Sequence, residues 1–362
     1  MKKRIPGTTF LVRGGCVAFA LLTLFLSGCR QVEAASSSST RPRDQELPAF
    51  IPAQLRSFDC SAPSSPHKPV APQVKAWYDE AIALEKPADQ VDIDWKRVAR
   101  LKQQAAARQY WPAVKINIRE LYGEQQLVLI EQGMSAGEPE AFFMMGEHYM
   151  KGESVRANPA KAYAFWQRAA MMGDVRAMVE LAVVLSTKQN NTVGWDMVNI
   201  PVATSMLECA MKKGHGDAAV PLRDIVSRPR KHDGSFADNS DKVADDAAEA
   251  QGLAVLQEGV KLGSRAAASE LALYFLVQHQ FKAQDSAAPR SYRSVDALRA
   301  RYYQYLEHSL DATTPERLPN LDAAVPLPPA PLPDWRDDDD NIVGLWEAAT
   351  ASSGEGTATA GR

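Results

Sequence analysis

Apolar residues recur at intervals of three and four through most of residues 73–310. This spacing places side chains on one face of an α-helix, and little of the segment has the alternation of a β-strand. In the clearest stretch, residues 137–182, one stripe consists of Ala141, Met144, Met145 and Tyr149, and a second of Ala162, Phe165, Trp166, Ala169 and Ala170. The pattern predicts a helix, a turn, a second helix and the beginning of a third.

Small and helix-capping residues mark the ends of these helices. Gly152 lies in the turn, and Asn158-Pro159 is typical of a helix start, because Asn caps the first turn and Pro fits its first position. Gly173 follows the second stripe, as glycine commonly does after a helix. Gly146 is small on the first stripe, so a neighbouring helix can come close. Two helices this short need stacked neighbours to bury their apolar faces.

One pattern returns five times: a small residue, a helix break four positions later, and an alanine four positions after the break. The copies are Ala105, Gln109, Ala113; Gly133, Gly137, Ala141; Ala169, Gly173, Ala177; Ala210, Gly214, Ala218; and Gly259, Gly263, Ala267. The later intervals lie in or near the roughly 34 to 47 residues of helical-pair repeats. The pattern favours an all-α solenoid of stacked antiparallel helical pairs. The alternative is an ordinary helical domain in which Ala and Gly recur by chance.

Residues 137–182 resemble the Sel1-like repeat, a relative of the tetratricopeptide repeat. The matching residues are Met145-Gly146, Tyr149, Gly152, Val155, Lys161-Ala162, Trp166, Ala169-Ala170, Gly173, Ala177 and Leu181. Ser154 stands where the family usually has glycine, and the next repeat has Ala182 and Leu185 in place of Gly and Tyr. The resemblance implies a Sel1-like or TPR-like fold over residues 73–310, with a long surface that binds another protein.

The N-terminus has the layout of an export signal. Lys2, Lys3, Arg4 and Arg13 are followed by an apolar run from Cys16 to Leu26, which is shorter than the ~20 residues of a membrane-spanning helix. The sequence Leu26-Ser27-Gly28-Cys29 resembles the bacterial lipobox. It implies a signal peptide over residues 1–28 and lipidation of Cys29. Because Arg30 rather than Asp follows, the expected location is the outer membrane, facing the periplasm. Alternatively, a plain signal peptide is cleaved near Ala34-Ala35.

Residues 29–72 are rich in Ser and Pro and are predicted to be a disordered tether. Of the four cysteines, Cys60 and Cys209 remain after export and lipidation, and they could form a disulfide in an oxidising compartment or stay as two thiols. Loss of residues 1–28 would remove four positive charges and no acid, so the formal charge would change from −3 to −7. This acidic balance argues against a nucleic-acid partner.

The chain changes character after residue 310. Residues 311–347 have too many prolines for helix interiors and are predicted to be an extended Pro-rich strap that caps the solenoid. The apolar residues expected to form the cap are Leu318, Leu321, Val325, Leu327, Leu332, Trp335 and Trp346. The alternative for this segment is a ligand for an aromatic groove in another protein. Residues 348–362 are predicted to be a disordered tail.

Catalytic and cofactor-binding motifs are weak. Gly133-Met134-Ser135-Ala136-Gly137 matches the nucleophile elbow of α/β-hydrolases, but no series of parallel strands follows, and the repeat pattern explains both glycines. Glu147-His148 lacks the second histidine of a zincin helix, and no Cys/His cluster has zinc spacing. We therefore expect no catalytic residue, no cofactor and no metal site, and a hydrolase with Ser135 as nucleophile is the minor alternative.

A lipid-anchored Sel1-like protein with a Pro-rich C-terminal strap resembles the envelope proteins that neutralise phospholipase effectors of type VI secretion. The resemblance implies an immunity protein whose partner is a secreted lipase, held on the concave face of the solenoid. The acidic balance would suit a basic patch on that partner. A different class of function, a non-inhibitory envelope scaffold or adaptor, fits the same repeats.

Overall fold

Fourteen α-helices make up most of the part of the chain that the computed structural model describes, and no β-strand occurs in it. The described residues are 43, 47, 57–61, 70–85, 93–186, 197–228, 242–284, 290–310, 316–333 and 339–351. The helices are α1 Pro72–Leu84, α2 Trp95–Ala107, α3 Trp111–Glu120, α4 Glu124–Ala136, α5 Pro139–Lys151, α6 Pro159–Met171, α7 Val175–Ser186, α8 Ile200–Lys212, α9 Ala219–Val226, α10 Lys242–Lys261, α11 Arg265–Gln284, α12 Arg290–Ser309, α13 Leu321–Ala324 and α14 Asp339–Thr350.

Each helix from α1 to α12 packs mainly against its neighbours in the sequence. One hydrophobic cluster extends from Phe143 in α5 to Ile225 in α9, and a second extends from Ala219 in α9 to Ala349 in α14. A core that passes from one helix pair to the next is the arrangement that repeat proteins require. The predicted all-α solenoid of helical pairs is therefore confirmed.

The five predicted breaks share one backbone conformation. Gln109, Gly137, Gly173, Gly214 and Gly263 all have positive φ, between 59° and 99°. The residue after each break donates its N–H to the carbonyl of the small residue that begins the pattern, as Asp174 does to Ala169 at 3.0 Å. This is the Schellman ending of a helix, which pairs carbonyls that the last turn leaves without donors.

The small residues of the pattern lie where two helices touch. The alanines that follow the breaks are at most 1% exposed. In the two copies that begin with glycine, the alanine faces that glycine at the end of the preceding helix. A Cβ added at Gly133 would lie 2.8 Å from the Cβ of Ala141, and one added at Gly259 would lie 3.0 Å from that of Ala267. The small residues of the pattern therefore allow consecutive helices to pack closely.

The hairpin of α5 and α6 has the predicted features. Gly146 faces the indole of Trp166, and a Cβ there would overlap the ring. The Asn158 side chain accepts a hydrogen bond from the N–H of Lys161 at 3.1 Å, and Pro159 is the first residue of α6. Gly152 ends α5 with φ of 74°. The helices begin and end at these residues because the caps pair their terminal backbone groups.

Part of the segment predicted to be a disordered tether lies on the repeat domain instead. The Arg43 guanidinium pairs with Glu124 at 2.9 Å and with Glu131 at 2.8 Å, both on α4. Phe58 packs against the α5–α9 cluster, and Cys60 forms a disulfide with Cys209 of α8. The prediction for residues 29–72 therefore does not describe these positions, because isolated apolar and charged residues, too few to form a periodic pattern, attach the segment.

The C-terminal strap packs on α10 and α12, and it is not extended throughout. Leu318, Leu321 and Val325 are fully buried against α10 and α12, and Leu327, Leu332 and Trp346 are partly buried in the same cluster. The strap includes α13 and most of α14, and α14 continues to Thr350 with Ala349 fully buried. The predicted tail at residues 348–362 is therefore helical at its start.

Several predicted features lie outside the described residues: the signal peptide over residues 1–28, the lipidation site Cys29, Trp335 of the strap, and residues 352–362 of the tail. None of the described helices is both long enough and apolar enough to cross a bilayer.

Candidate protein-binding surface

The helices that follow the five breaks, α3, α5, α7, α9 and α11, present their outer side chains in one register. Counted from the break, the exposed or partly exposed positions are 3, 6 or 7, 10 and 14, which is helical spacing. We call the surface formed by these side chains the first-helix face. Its members include Lys115, Glu140, Glu147, Arg176, Glu180, Asp217, Asp224, Glu270, Leu273 and Val277.

A network of charged side chains joins α3, α5 and α7 on this face. The Glu140 carboxylate accepts from Lys115 at 3.3 Å and from Arg176 at 2.7 Å. It also accepts a hydrogen bond from the Trp111 indole at 3.0 Å. Burial alone would raise the pKa of Glu140, but Arg176 and Lys115 outweigh it and hold the pKa below its ordinary value. The network therefore fixes three consecutive first helices side by side.

The polar row continues across the breaks before α7, α9 and α11. Asp174 caps α7 by accepting from the N–H of Ala177 at 2.9 Å, and burial raises its pKa. Burial lowers the pKa of His215, against the opposing influence of Asp217 and Asp174. The Ser264 hydroxyl donates to Asp217 at 2.6 Å and caps α11 through the N–H of Ala267. The first-helix face is thus continuous from α3 to α11.

A cleft of about 560 Å³ opens at the end of this row. It lies between the turn before α9, the turn before α11, the first turns of α11 and the end of α12. Its lining consists of Gly214, His215, Gly216, Asp217, Leu262, Gly263, Ser264, Arg265, Ala266, Ser269, Glu270 and Glu307. The lining is mixed in polarity, and its carboxylates, Asp217, Glu270 and Glu307, outnumber its one arginine, Arg265, so it suits a group that is both cationic and partly apolar.

The serine of the elbow-like motif does not lie on a nucleophile elbow. Ser135 lies inside α4, and its hydroxyl donates to the carbonyl of Glu131 at 2.9 Å, one helical turn earlier. An elbow would need a strand that ends in a sharp turn at this serine. Gly137 ends the helix in the repeat register, so both glycines of the motif have structural roles.

The histidine that sequence reasoning considered for a zinc site also has a structural role. The Nδ1 atom of His148 lies 2.7 Å from the carbonyl oxygen of Glu153, so the ring ties the end of α5 to the turn that follows. No group of three or more potential metal ligands occurs within the described ranges. That the chain has no catalytic activity and no cofactor stays a prediction.

The sequence alone did not indicate which residues contact a partner, and it did not predict the cleft or the charged network. A signal for part of the network was present, because Glu140 and Arg176 each stand three residues after their breaks. Charged side chains at matching repeat positions lie at the same height on adjacent first helices. Which of them form pairs depends on the packing of the units, and the sequence alone does not give that.

The fold and the face define a class: an all-α solenoid of Sel1-like helical pairs with an exposed row of first helices. No protein-family model matches this chain, and no curated protein does. Among solved structures, immunity protein Pa5087 from Pseudomonas aeruginosa is 23% identical with a TM-score of 0.50, and covers 76% of this chain and 96% of its own. Immunity protein PA5088 from the same organism has the same identity and TM-score, with 95% of its own chain covered. These two likenesses establish the shared fold.

Proposed function

We propose that this chain is a lipid-anchored immunity protein that faces the periplasm and sequesters a type VI secretion phospholipase or lipase effector. Two solved structures with this fold are immunity proteins, and each is matched over nearly its whole length. The proposal extends their role to this chain, and the lipase class of the partner rests on the family resemblance of the sequence.

The observation on which the proposal rests is the continuous first-helix face. Repeat proteins use such extended surfaces to bind other proteins. Here the Lys115, Glu140 and Arg176 network holds consecutive first helices in fixed positions, so the face is organised before a partner arrives. A preformed surface loses little conformational entropy on binding, which favours tight inhibition. The bound lipase would be blocked at its active-site mouth or at the surface with which it approaches the membrane.

Export and anchoring are part of the proposal. The lipobox-like Leu26-Ser27-Gly28-Cys29 supplies an attachment site, and multiple acyl chains on one residue suffice for stable anchoring. The disulfide between Cys60 and Cys209 fits an oxidising compartment. With Arg30 after the lipidated cysteine, the outer membrane is the proposed location, and the membrane is contacted only through the anchor.

The test begins with the gene adjacent to this one, which should encode a lipase, and then uses the full chain in cells that carry both genes. Deleting the gene for this chain should be toxic only when that lipase is exported to the periplasm, and the two proteins should co-purify from solubilised membranes. Cys29→Ser should move the chain from the membrane to the soluble fraction. An envelope defect that persists in the absence of the lipase would instead support a non-inhibitory scaffold. A lack of protection and of co-purification would refute the immunity role.

A further inference from the structure

Most acids of the first-helix face and of the adjoining cleft fall into two groups; Glu180 belongs to neither, because it has no ion pair with a described residue and does not line the cleft. In the first group each carboxylate has a cation beside it: Glu140 has Arg176 and Lys115, Glu147 has Lys151, and Asp224 has Arg223 and Arg228. The second group lines the cleft. Within the described part of the chain, no ion pair involves Glu270 or Glu307.

The described cations near the cleft form no ion pair with these two carboxylates. Arg265 is the cation among the lining residues, and it forms no ion pair with another described residue. Arg317 lies beside Gly214 at the edge, and its guanidinium is 2.8 Å from where a Cβ on that glycine would be. Asp217 adds a third carboxylate, which accepts the Ser264 hydroxyl. The cleft therefore presents an excess of negative charge to a partner.

Exposed apolar side chains adjoin the cleft on the same helix. Leu273 is 56% exposed and Val277 is 36% exposed, and they stand three and seven residues after Glu270 in α11. At a rise of 1.5 Å per residue, they follow Glu270 along the helix at about 5 and 10 Å. An exposed leucine and valine on one stripe, beside a charged cleft, are typical of a binding surface.

We propose that the cleft and this stripe of α11 form the main contact with the partner. The partner would insert a lysine or arginine between Glu270 and Glu307, and would place an apolar side chain on Leu273 about 5 Å away. This inference rests on the proposed function, because the partner is the lipase effector. Desolvated, hydrogen-bonded charge pairs flanked by apolar contacts contribute strongly to specificity and to slow dissociation.

A second copy of this chain is a poorer occupant. In a two-fold symmetric dimer the same surface meets itself, so Glu270 and Glu307 would face their own counterparts across the interface. Like charges brought together in this way oppose association. A basic partner satisfies the same carboxylates, and the formal charge of −3 for the whole chain would steer such a partner toward it.

The test measures the affinity of the purified full chain for the lipase encoded beside its gene. The charge-reversal variant E270K/E307K should bind at least about tenfold more weakly, and its affinity should depend less on salt. The control E208K/E249K makes the same charge change on α8 and α10, away from the cleft, and should bind like the wild type. Leu273→Ala should speed dissociation. Thermal unfolding of each variant checks that it is folded, and E270Q/E307Q replaces the reversal if that variant does not fold.

Each outcome decides between the two proposals. If the wild-type chain does not bind the lipase, the proposed function fails and this inference fails with it. If the wild type binds and E270K/E307K binds equally well, only the inference fails. If E208K/E249K weakens binding as much as E270K/E307K does, the effect comes from net charge, and the inference fails. The inference also fails if analytical sedimentation shows that the wild-type chain is a dimer and that E270K/E307K is not.

Discussion

Gln109 has the same position in the turn between α2 and α3 that Gly137 has in the turn between α4 and α5. Both have positive φ, 59° and 83°, and each donates its N–H to the carbonyl three residues earlier. The following residue in each case donates to the carbonyl five residues before it, from Tyr110 to Ala105 and from Glu138 to Gly133. A side chain with a Cβ pays an energetic penalty in this conformation that glycine does not.

Replacing Gln109 with glycine should therefore stabilise the protein. We expect Gln109→Gly to raise the free energy of unfolding by about 1 kcal/mol, because it removes the strain of the left-handed conformation. The reverse change, Gly137→Gln, should lower it by a similar amount, since no atom lies within 4 Å of the added Cβ and only the backbone conformation matters. Urea unfolding measures both values. A loss of stability in Gln109→Gly would contradict the strain argument.

The disulfide between Cys60 and Cys209 should contribute strongly to stability. It links residues 149 positions apart, and closing so long a loop in the unfolded chain corresponds to about 3–5 kcal/mol. The double variant C60S/C209S should unfold at a correspondingly lower denaturant concentration. Adding a reductant should lower the midpoint of the wild type to that of the variant and leave the variant unchanged. A wild-type midpoint that does not respond to reductant would show that the link contributes little.

The repeat turns were predictable because local chemistry determines them. Gly173 and its equivalents end helices by backbone conformation alone, and each alanine after a break is buried by the same packing. Gln109 was recognised as a helix break although it is not glycine, because its spacing from Ala105 and Ala113 matches that of the other four copies. Apolar strap residues such as Leu321 were predicted for a similar reason, since a terminal repeat needs a cap.

The parts that were not predicted depend on contacts between residues far apart in the sequence. The charged network needs Lys115 and Arg176 to meet at Glu140, and the cleft needs the end of α12 to lie beside the first turns of α11. The attachment of Arg43 to α4 spans more than eighty residues. A periodic sequence pattern does not predict such contacts, because each involves one or two side chains whose partners are determined by tertiary packing.

Arg299 should be required for the strap to remain docked. Arg299 is 3% exposed, and its guanidinium donates to the carbonyls of Pro326 at 3.1 Å and Ala330 at 2.5 Å. Arg299→Met keeps most of the apolar stem but leaves both carbonyls without this donor, so we expect a loss of about 2–3 kcal/mol. Trypsin should also cleave faster after Arg317 in this variant. Arg301→Met, at an exposed position of the same helix, should have a much smaller effect on both measurements.

The pH dependence of stability should distinguish two acids of the first-helix face. Burial raises the pKa of Glu140, but Arg176 and Lys115 outweigh it and lower the pKa below 4.5. Its ionised form therefore contributes stability above pH 4.5, and this contribution is lost as pH falls through the lowered pKa. Glu140→Gln should cost about 1–3 kcal/mol at pH 7, and the difference from the wild type should shrink below pH 4.5.

Glu180 should behave in the opposite way. Burial first, and then the charge of Glu147, raise its pKa above 4.5, so the ionised form is less favourable in the folded state than in the unfolded state. The contribution of Glu180 to stability should fall as pH rises from 4.5 through that raised pKa, and Glu180→Gln should remove this contribution, so the variant should gain stability relative to the wild type as pH rises. Chemical unfolding from pH 3 to pH 8, at about one-unit intervals, would measure both variants against the wild type. Parallel curves for Glu140→Gln and Glu180→Gln would contradict the opposite electrostatic environments of the two carboxylates.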